Sequence, residues 1–557
     1  MRTFRAIVGV ILALAGLAAA LAGGLAAFWL IGPDDTFSTS EQHVAGTGLA
    51  IVSAPDLIEY TGPVLHLGAR TVSGRPVFVG VAREFDAASY VKGADHLRLV
   101  QLDRSLALHA ERHSGALTPL TPPARLDWWV AKVSGPGTQT LVWPIADGPY
   151  DVVIMNADGK PAADAQVTVG IEVDGAYKTA LLVLGVGVLL LVAGVLLAVL
   201  RRRRPAAPDV PPVQYPPQYP AQQWSPPGSY QRTARRIVAT GLVLALTAGC
   251  AAVPQKRTVT TLSRPAVTEA AATAVVKHYN AVANKAAAQR NDSLAAQVET
   301  GPALEQTRAR QLIGRVRDKN RKQLPKPVMY LGTDFGAPAY SGYPMSFVTN
   351  SGVSTNASGS HLGVWRRESA GGPWKLSYSI TTSSSLTWAP ALTGLRVARP
   401  ADVKRLRVPP KAIAARLAQY LTGGAKSPRA AEFTSPRAVD DLLAQLARRN
   451  AADRKDSYIA SLSDRFTVRG QPIGFVATTG EMLIFVTLTE RYDQKLRANS
   501  YAYWARGDVL AFSPGDRRYN HGLTNDTLYQ FALLVPRDRG SIRVLAYDAQ
   551  LVDAGGY

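Results

Sequence analysis

The stretch Thr179-Ala180-Leu181-Leu182-Val183-Leu184-Gly185-Val186-Gly187-Val188-Leu189-Leu190-Leu191-Val192-Ala193-Gly194-Val195-Leu196-Leu197-Ala198-Val199-Leu200 decides the architecture, and Arg201-Arg202-Arg203-Arg204 closes it. As a helix its ~22 residues rise ~33 Å, enough for the ~30 Å hydrocarbon core of a bilayer. The arginine block is a stop-transfer signal, and the positive-inside rule puts it in the cytoplasm. The pattern therefore predicts a spanning helix over residues 179–200.

Toward the N-terminus a second apolar run, Ala6 to Gly32, follows Arg2 and Arg5 and precedes Asp34-Asp35. It is long enough to cross with tilt, leaving residues 1–5 cytoplasmic. Its length and the bulky Phe28-Trp29-Leu30 near its exit favour a retained helix over a cleaved signal. Gly16, Ala20 and Gly24 form a small-residue face able to pack a partner helix.

Between these runs, residues 36–177 read as an all-β domain of sandwich or jelly-roll type. Strands are predicted at 49–52, 64–67, 76–82, 97–102, 128–133, 139–144, 150–155 and 165–173, separated by turn signals such as Ser73-Gly74 and Asp158-Gly159. Held by a helix at each end, this domain is expected outside the cell. Trp128, Trp129 and Trp143 are read first as core and strand packing, and second as a sugar-binding platform.

Beyond the arginines, residues 201–236 are rich in Pro, Gln and Tyr and read as a cytoplasmic linker. A third apolar run, residues 237–253, is a minimal span or a signal-type segment. It contains the one cysteine of the chain, Cys250, so no intramolecular disulfide forms. The text Arg235-Arg236 through Leu246-Thr247-Ala248-Gly249-Cys250 resembles a bacterial lipoprotein signal, which implies lipidation of Cys250. Thr247 departs from the aliphatic residue usual at that place. Residues 254–265 then read as a tether.

Residues 266–396 and 408–557 share one plan, helix-period text followed by strands, hence two α+β units. In the first, helices are predicted at 267–290 and 303–320, with strands at 328–331, 343–349, 361–368 and 374–380. In the second, helices are predicted at 411–421 and 437–449, with strands at 458–468, 473–478, 483–492, 529–535 and 542–551. The element order resembles a tandem of NTF2-like folds. Tyr279-Asn280-Ala281-Val282, Asp292-Ser293-Leu294 and Glu299-Thr300-Gly301-Pro302-Ala303-Leu304 resemble the opening of uncharacterised secreted lipoproteins of high-GC Gram-positive bacteria. Phe78-Val79-Gly80-Val81-Ala82, Trp128-Trp129-Val130-Ala131 and Val153-Ile154-Met155-Asn156-Ala157-Asp158-Gly159 similarly resemble uncharacterised two-helix membrane proteins of those bacteria. Both resemblances imply a bacterial cell membrane location and neither implies a reaction.

The formal charge is +21, and nearly all the excess lies after Cys250. A solvated basic surface is the first reading. Membrane lipids are the expected partners, with an anionic wall polymer or another envelope protein next. Nucleic acid is not expected, because the basic part is expected outside the cell.

No nucleophile elbow or phosphate-cradling loop is present, since Gly135-Pro136-Gly137 opens no helix. His109 and His113 share i, i+4 spacing around Glu111, half a zinc site at most, so no metal and no cofactor is expected. An NTF2-like enzyme would need an acid, base or phenol in its cone. His278, Tyr279, Asp334 and Tyr340 are the residues to watch in the first unit, and Tyr458, Asp464 and Glu481 in the second. Tyr279, Asp334 and Asp464 are the cavity candidates, and His278 is expected to face outward. The leading expectation is a non-enzymatic, membrane-anchored binding or scaffolding protein. The alternatives are an NTF2-like isomerase or dehydratase acting on a small apolar molecule, and a binder of anionic polymer or lipid surface.

Overall fold

The computed structural model describes residues 2–102, 108–199, 255–382, 392–434 and 437–557. The linker 201–236, the run 237–253 with Cys250, and residues 435–436 ahead of the helix expected at 437–449 lie outside the described residues. The chain forms two compact units. The first comprises Met1–Glu84, Gly93–Ala124 and Trp129–Thr260; the second comprises Phe85–Lys92, Arg125–Trp128 and Thr261–Tyr557.

In the first unit, α1 (Arg2–Leu25) is prolonged by a π-helical turn, Ala26–Leu30. The short α2 (Glu84–Tyr90) starts there and counts with the second unit from Phe85 on, and α3 (Ala176–Val199) closes the region. Both α1 with its extension and α3 are long and apolar enough to cross a membrane. They pack against each other through glycines. A Cβ on Gly16 would lie 2.3 Å from the Leu191 nitrogen, and one on Gly187 would lie 2.3 Å from the Ala20 nitrogen. Only hydrogen fits at these crossings, which is how small residues let helix backbones touch. The seam runs through Gly9, Gly16 and Gly23, with Ala20 against Gly187; Gly24, expected on this face, stands beside it. Asp35 ties the helices at their β-side ends. Its carboxylate accepts from Gly175 N at 3.1 Å and Tyr177 N at 2.7 Å, occupying free donors at the start of α3.

The strands of this unit are β1 (Thr36–Ser38), β2 (Gln42–Val44), β3 (Ala50–Ser53), β4 (Tyr60–Thr61), β5 (Val64–Thr71) and β6 (Val77–Arg83). They continue as β7 (His96–Leu102), β8 (Leu108–His113), β9 (Ala131–Gly135), β10 (Gln139–Pro144), β11 (Tyr150–Asn156), β12 (Ala165–Glu172) and β13 (Gln255–Lys256). One sheet runs β1-β12-β5-β10, with β2 also on β12; the other runs β8-β7-β3-β11-β6-β9. On β5 burial alternates, with Leu65, Leu67 and Ala69 inside, as a sheet with one solvated face requires. β11 is buried throughout.

The expected strands appear with shifted ends. The stretch read as starting at Trp128 begins at Ala131 instead. Four further strands, β1, β2, β4 and β8, and the helix α2 carry no period that marks them. His109, Glu111 and His113 lie exposed on β8 rather than on a helix, and His113 stacks on His96. Within the stretch read as a tether, β13 pairs with β4, and Thr258 bonds Asp147.

In the second unit β14 (Arg264–Pro265) precedes α4 (Glu269–Gln289), α5 (Asp292–Val298) and α6 (Gly301–Arg317). Then come β15 (Tyr330–Gly336), β16 (Ala339–Tyr340), β17 (Met345–Val353), β18 (Asn356–Arg367) and β19 (Lys375–Thr382), of which β15-β17-β18-β19 form an antiparallel sheet. The second half has β20 (Arg396–Val397), α7 (Pro400–Lys404), α8 (Pro410–Gly423), β21 (Phe433–Thr434) and α9 (Arg437–Asp453). Its long strands are β22 (Ile459–Val476), β23 (Met482–Leu496), β24 (Gly522–Val535) and β25 (Ile542–Gly556), in sheet order β20-β22-β23-β24-β25-β21.

Helices precede the sheet in each half, as read from the sequence. The two halves also share a core. On β23, Ile484, Val486 and Leu488 join the cluster with Ile413 and Leu417 of α8. Leu483 and Phe485 join Val348, Leu362 and Ile380 of the first half. A sheet covered on both faces explains the unbroken apolar run Met482-Leu483-Ile484-Phe485-Val486.

Candidate functional site

The interior of the first unit holds an apolar cavity of about 350 Å³. Leu65 and Leu67 of β5 and Val167 of β12 form one wall; Leu99 of β7 and Val152 and Ile154 of β11 form the other. The alternation of β5 and β12 aims these side chains inward, so strand period and cavity chemistry share one cause. Ser53 lies on its edge with the hydroxyl oxygen already accepting from Val152 N at 2.8 Å. This volume lies within the ~300–1,000 Å³ range of small-molecule sites.

The first half of the second unit holds a different cavity of about 400 Å³, lined by Tyr279, Glu299, Thr307, Arg310 and Tyr330 among others. Tyr279 projects from the buried face of α4, which also carries Ala272 and Val276. Its hydroxyl donates to Glu299 Oε1 at 2.7 Å. Glu299 ends α5 and is 4% exposed. Burial raises the Glu299 carboxyl above its ordinary range, with the Tyr279 and Thr307 hydroxyls and Arg310 acting the other way. Burial also holds the Tyr279 phenol well above its usual value, so it remains a donor. Behind it Tyr330 stacks on His361 at 3.6 Å. Burial pushes the His361 imidazole down to about 3, and its Nε2 lies 3.0 Å from Ser379 Oγ. Arg290, at the cavity edge, is engaged by Asp318 at 2.6 Å. The arrangement offers a buried carboxyl and a phenol as hydrogen-bonding floor beneath a basic edge.

Asp464 belongs elsewhere. Arg449 of α9 pairs with Asp464 at 2.6 Å and with Glu490 of β23, and its guanidinium lies 3.9 Å over the Tyr492 ring. Tyr529 donates to the other Glu490 oxygen at 2.7 Å. Glu490 is 1% exposed, and burial pushes its carboxyl up to about 7. This ionic network joins α9 to the sheet, with Arg449 Nε and Asp464 Oδ1 buried and left without partners.

Of the remaining watched residues, Asp334 is exposed on β15 and His278 is exposed on α4. Tyr340 is half-buried and donates to Ser346 O at 3.0 Å. Tyr458 donates to Asp456 at 3.0 Å, and Glu481 meets Arg543 at 3.4 Å. Trp128 and Trp143 are buried, and Trp129 packs on Phe78 at 4.7 Å, so the tryptophans form packing rather than an open platform. Among the described residues no group of three His, Cys, Asp or Glu is placed to hold a metal ion. Glu299 was not singled out by sequence. It stands in a short polar stretch between α5 and α6, and only the fold buries it.

No curated protein and no solved structure matches the chain. The model of one family, described as domain of unknown function (DUF8094), matches residues 263–556, and the chain belongs to that family.

Proposed function

We propose that this chain is a membrane-anchored protein of the bacterial envelope, with both folded units outside the cell and a non-enzymatic binding or scaffolding role. The observation that supports it best is the helix pair. Two apolar spans, 25 and 24 residues long, flank the β region and pack through glycines, as membrane helices do. Arg201–Arg204 then mark the cytoplasmic side, and residues 237–253 return the chain across the membrane. Cys250 is proposed to carry a diacylglyceryl group, which an intact-mass comparison with Cys250→Ala reads directly. Full-length protein is expected to stay with membranes through an alkaline carbonate wash; release into the wash would contradict anchoring.

One observation favours a second reading, an NTF2-like enzyme. It is the buried Glu299 beside Tyr279 in a cavity of ligand size. On that reading small keto or hydroxy compounds raise the melting temperature of the wild type but not of Glu299→Gln. Equal response in both proteins, or none, would set it aside.

A further inference from the structure

The apolar cavity of the first unit opens at one end. Along β12 the inward residues pass from buried Val167 through Val169 and Ile171 to Val173, all three of these partly exposed. Only Asp174 and Gly175 separate Val173 from the start of α3 at Ala176. The register Ile171 to Leu65 and Glu172 to Val64 sets the start of β5 at that end. The chain leaving α1 arrives there as well, because Thr36 pairs with Glu172 and Asp35 caps α3. Leu57 and Ile58, partly exposed, complete the rim. The next residues, Tyr60–Thr61, pair with Gln255–Lys256. The far end is closed by Leu67, Val167 and Ile154, all buried.

We infer that this cavity takes one hydrocarbon chain of a membrane lipid, drawn in lengthwise from the bilayer beside the roots of α1 and α3, with the headgroup left at the rim. The walls within are aliphatic and, among the described residues, Glu59 is the one charged residue of the lining, held at the rim beside Leu57 and Ile58, so what the interior covers must be apolar. A volume of about 350 Å³ sits near the lower end of the ~300–1,000 Å³ range of ligand sites, which suits a single slender chain rather than a two-chain body. A mouth at the helix roots lets a chain pass from hydrocarbon to hydrocarbon with little exposure to water. At the rim the lining residue Glu59 pairs with exposed Lys256 at 3.8 Å, so a polar headgroup would rest against both signs of charge. The inference depends on the membrane reading above. The chain has two sources, a free bilayer lipid or the lipid proposed on Cys250.

The test uses the full-length protein in phosphatidylglycerol nanodiscs doped with a phospholipid carrying a diazirine on one acyl chain. After photolysis, adducts are mapped by peptide mass spectrometry. Adducts on β5, β11 and β12 as well as on α1 and α3 are expected, with the strand adducts lost in Val167→Trp and in the rim variant Leu57→Asp. Strand adducts in both wild type and Cys250→Ala assign a bilayer lipid. Strand adducts only in Cys250→Ala support the same hydrocarbon site, filled in the wild type by the protein's own lipid. Adducts confined to the helices in both proteins overturn the inference and leave the membrane reading intact. Absence of helix adducts contradicts the membrane reading, and this inference with it.

Discussion

Arg449 shows how much one buried charge settles. It meets Asp464, Glu490 and the Tyr492 ring at once. Removing it leaves Glu490 buried without its cation, and breaking such a pair costs ~3–5 kcal/mol. Arg449→Ala is therefore expected to lower the urea midpoint strongly, whereas Asp334→Ala on exposed β15 should stay within ~0.5 kcal/mol of the wild type. Asp151 gives a pH signature. It is buried on β11, and burial pushes its carboxyl up to about 8, far above ~3.9 in an unfolded chain. The folded state thus keeps a proton that the unfolded chain gives up, so stability falls as pH climbs from about 4 to about 8. Thermal melts across that window should show the loss in the wild type and a flatter course in Asp151→Asn. Tyr279 was legible because helix period places it with Ala272 and Val276. Asp334 was not, because the expected strand stopped at residue 331, whereas β15 runs on to Gly336 with a register shift between Leu331 and Asp334.

At the scale of elements, apolar length and glycine spacing made α1 and α3 readable from sequence. The seam itself uses Gly23 rather than Gly24, a choice made by the partner helix. Gly16→Leu would drive a side chain into the Leu191 backbone, and overpacking of this kind costs ~1–3 kcal/mol. A lower melting temperature in detergent is expected for Gly16→Leu, with little change for Gly185→Leu, where an added Cβ meets nothing within 4 Å. Strand β22 was read as two strands, 458–468 and 473–478, which leave out the turn-like Gly470-Gln471-Pro472. It is one strand with a register shift between Arg469 and Ile473, where proline's missing N–H is tolerated. The edge strand β8 and the short helix α2 left no signal, since their pairing and burial come from tertiary neighbours.

For the whole molecule, two long apolar helices flanking a β region, with helices then strands beyond them, were legible in sequence, and the ligand cavities were not. A cavity is what strands fail to fill, and no residue type announces it. The DUF8094 family covers residues 263–556 and leaves the helix pair and β region outside its match. The central claim is that both folded units face the outside of the membrane while the proline-rich linker faces the cytoplasm. Its most direct test is labelling of intact cells with a membrane-impermeant maleimide, using single cysteines at Val142, Ser225 and Tyr503 in a Cys250→Ala background. Labelling of Val142→Cys and Tyr503→Cys, with Ser225→Cys reacting only after the cells are opened, is the expected result. Labelling of Ser225→Cys on intact cells, or protection of either of the other two until lysis, would contradict the account.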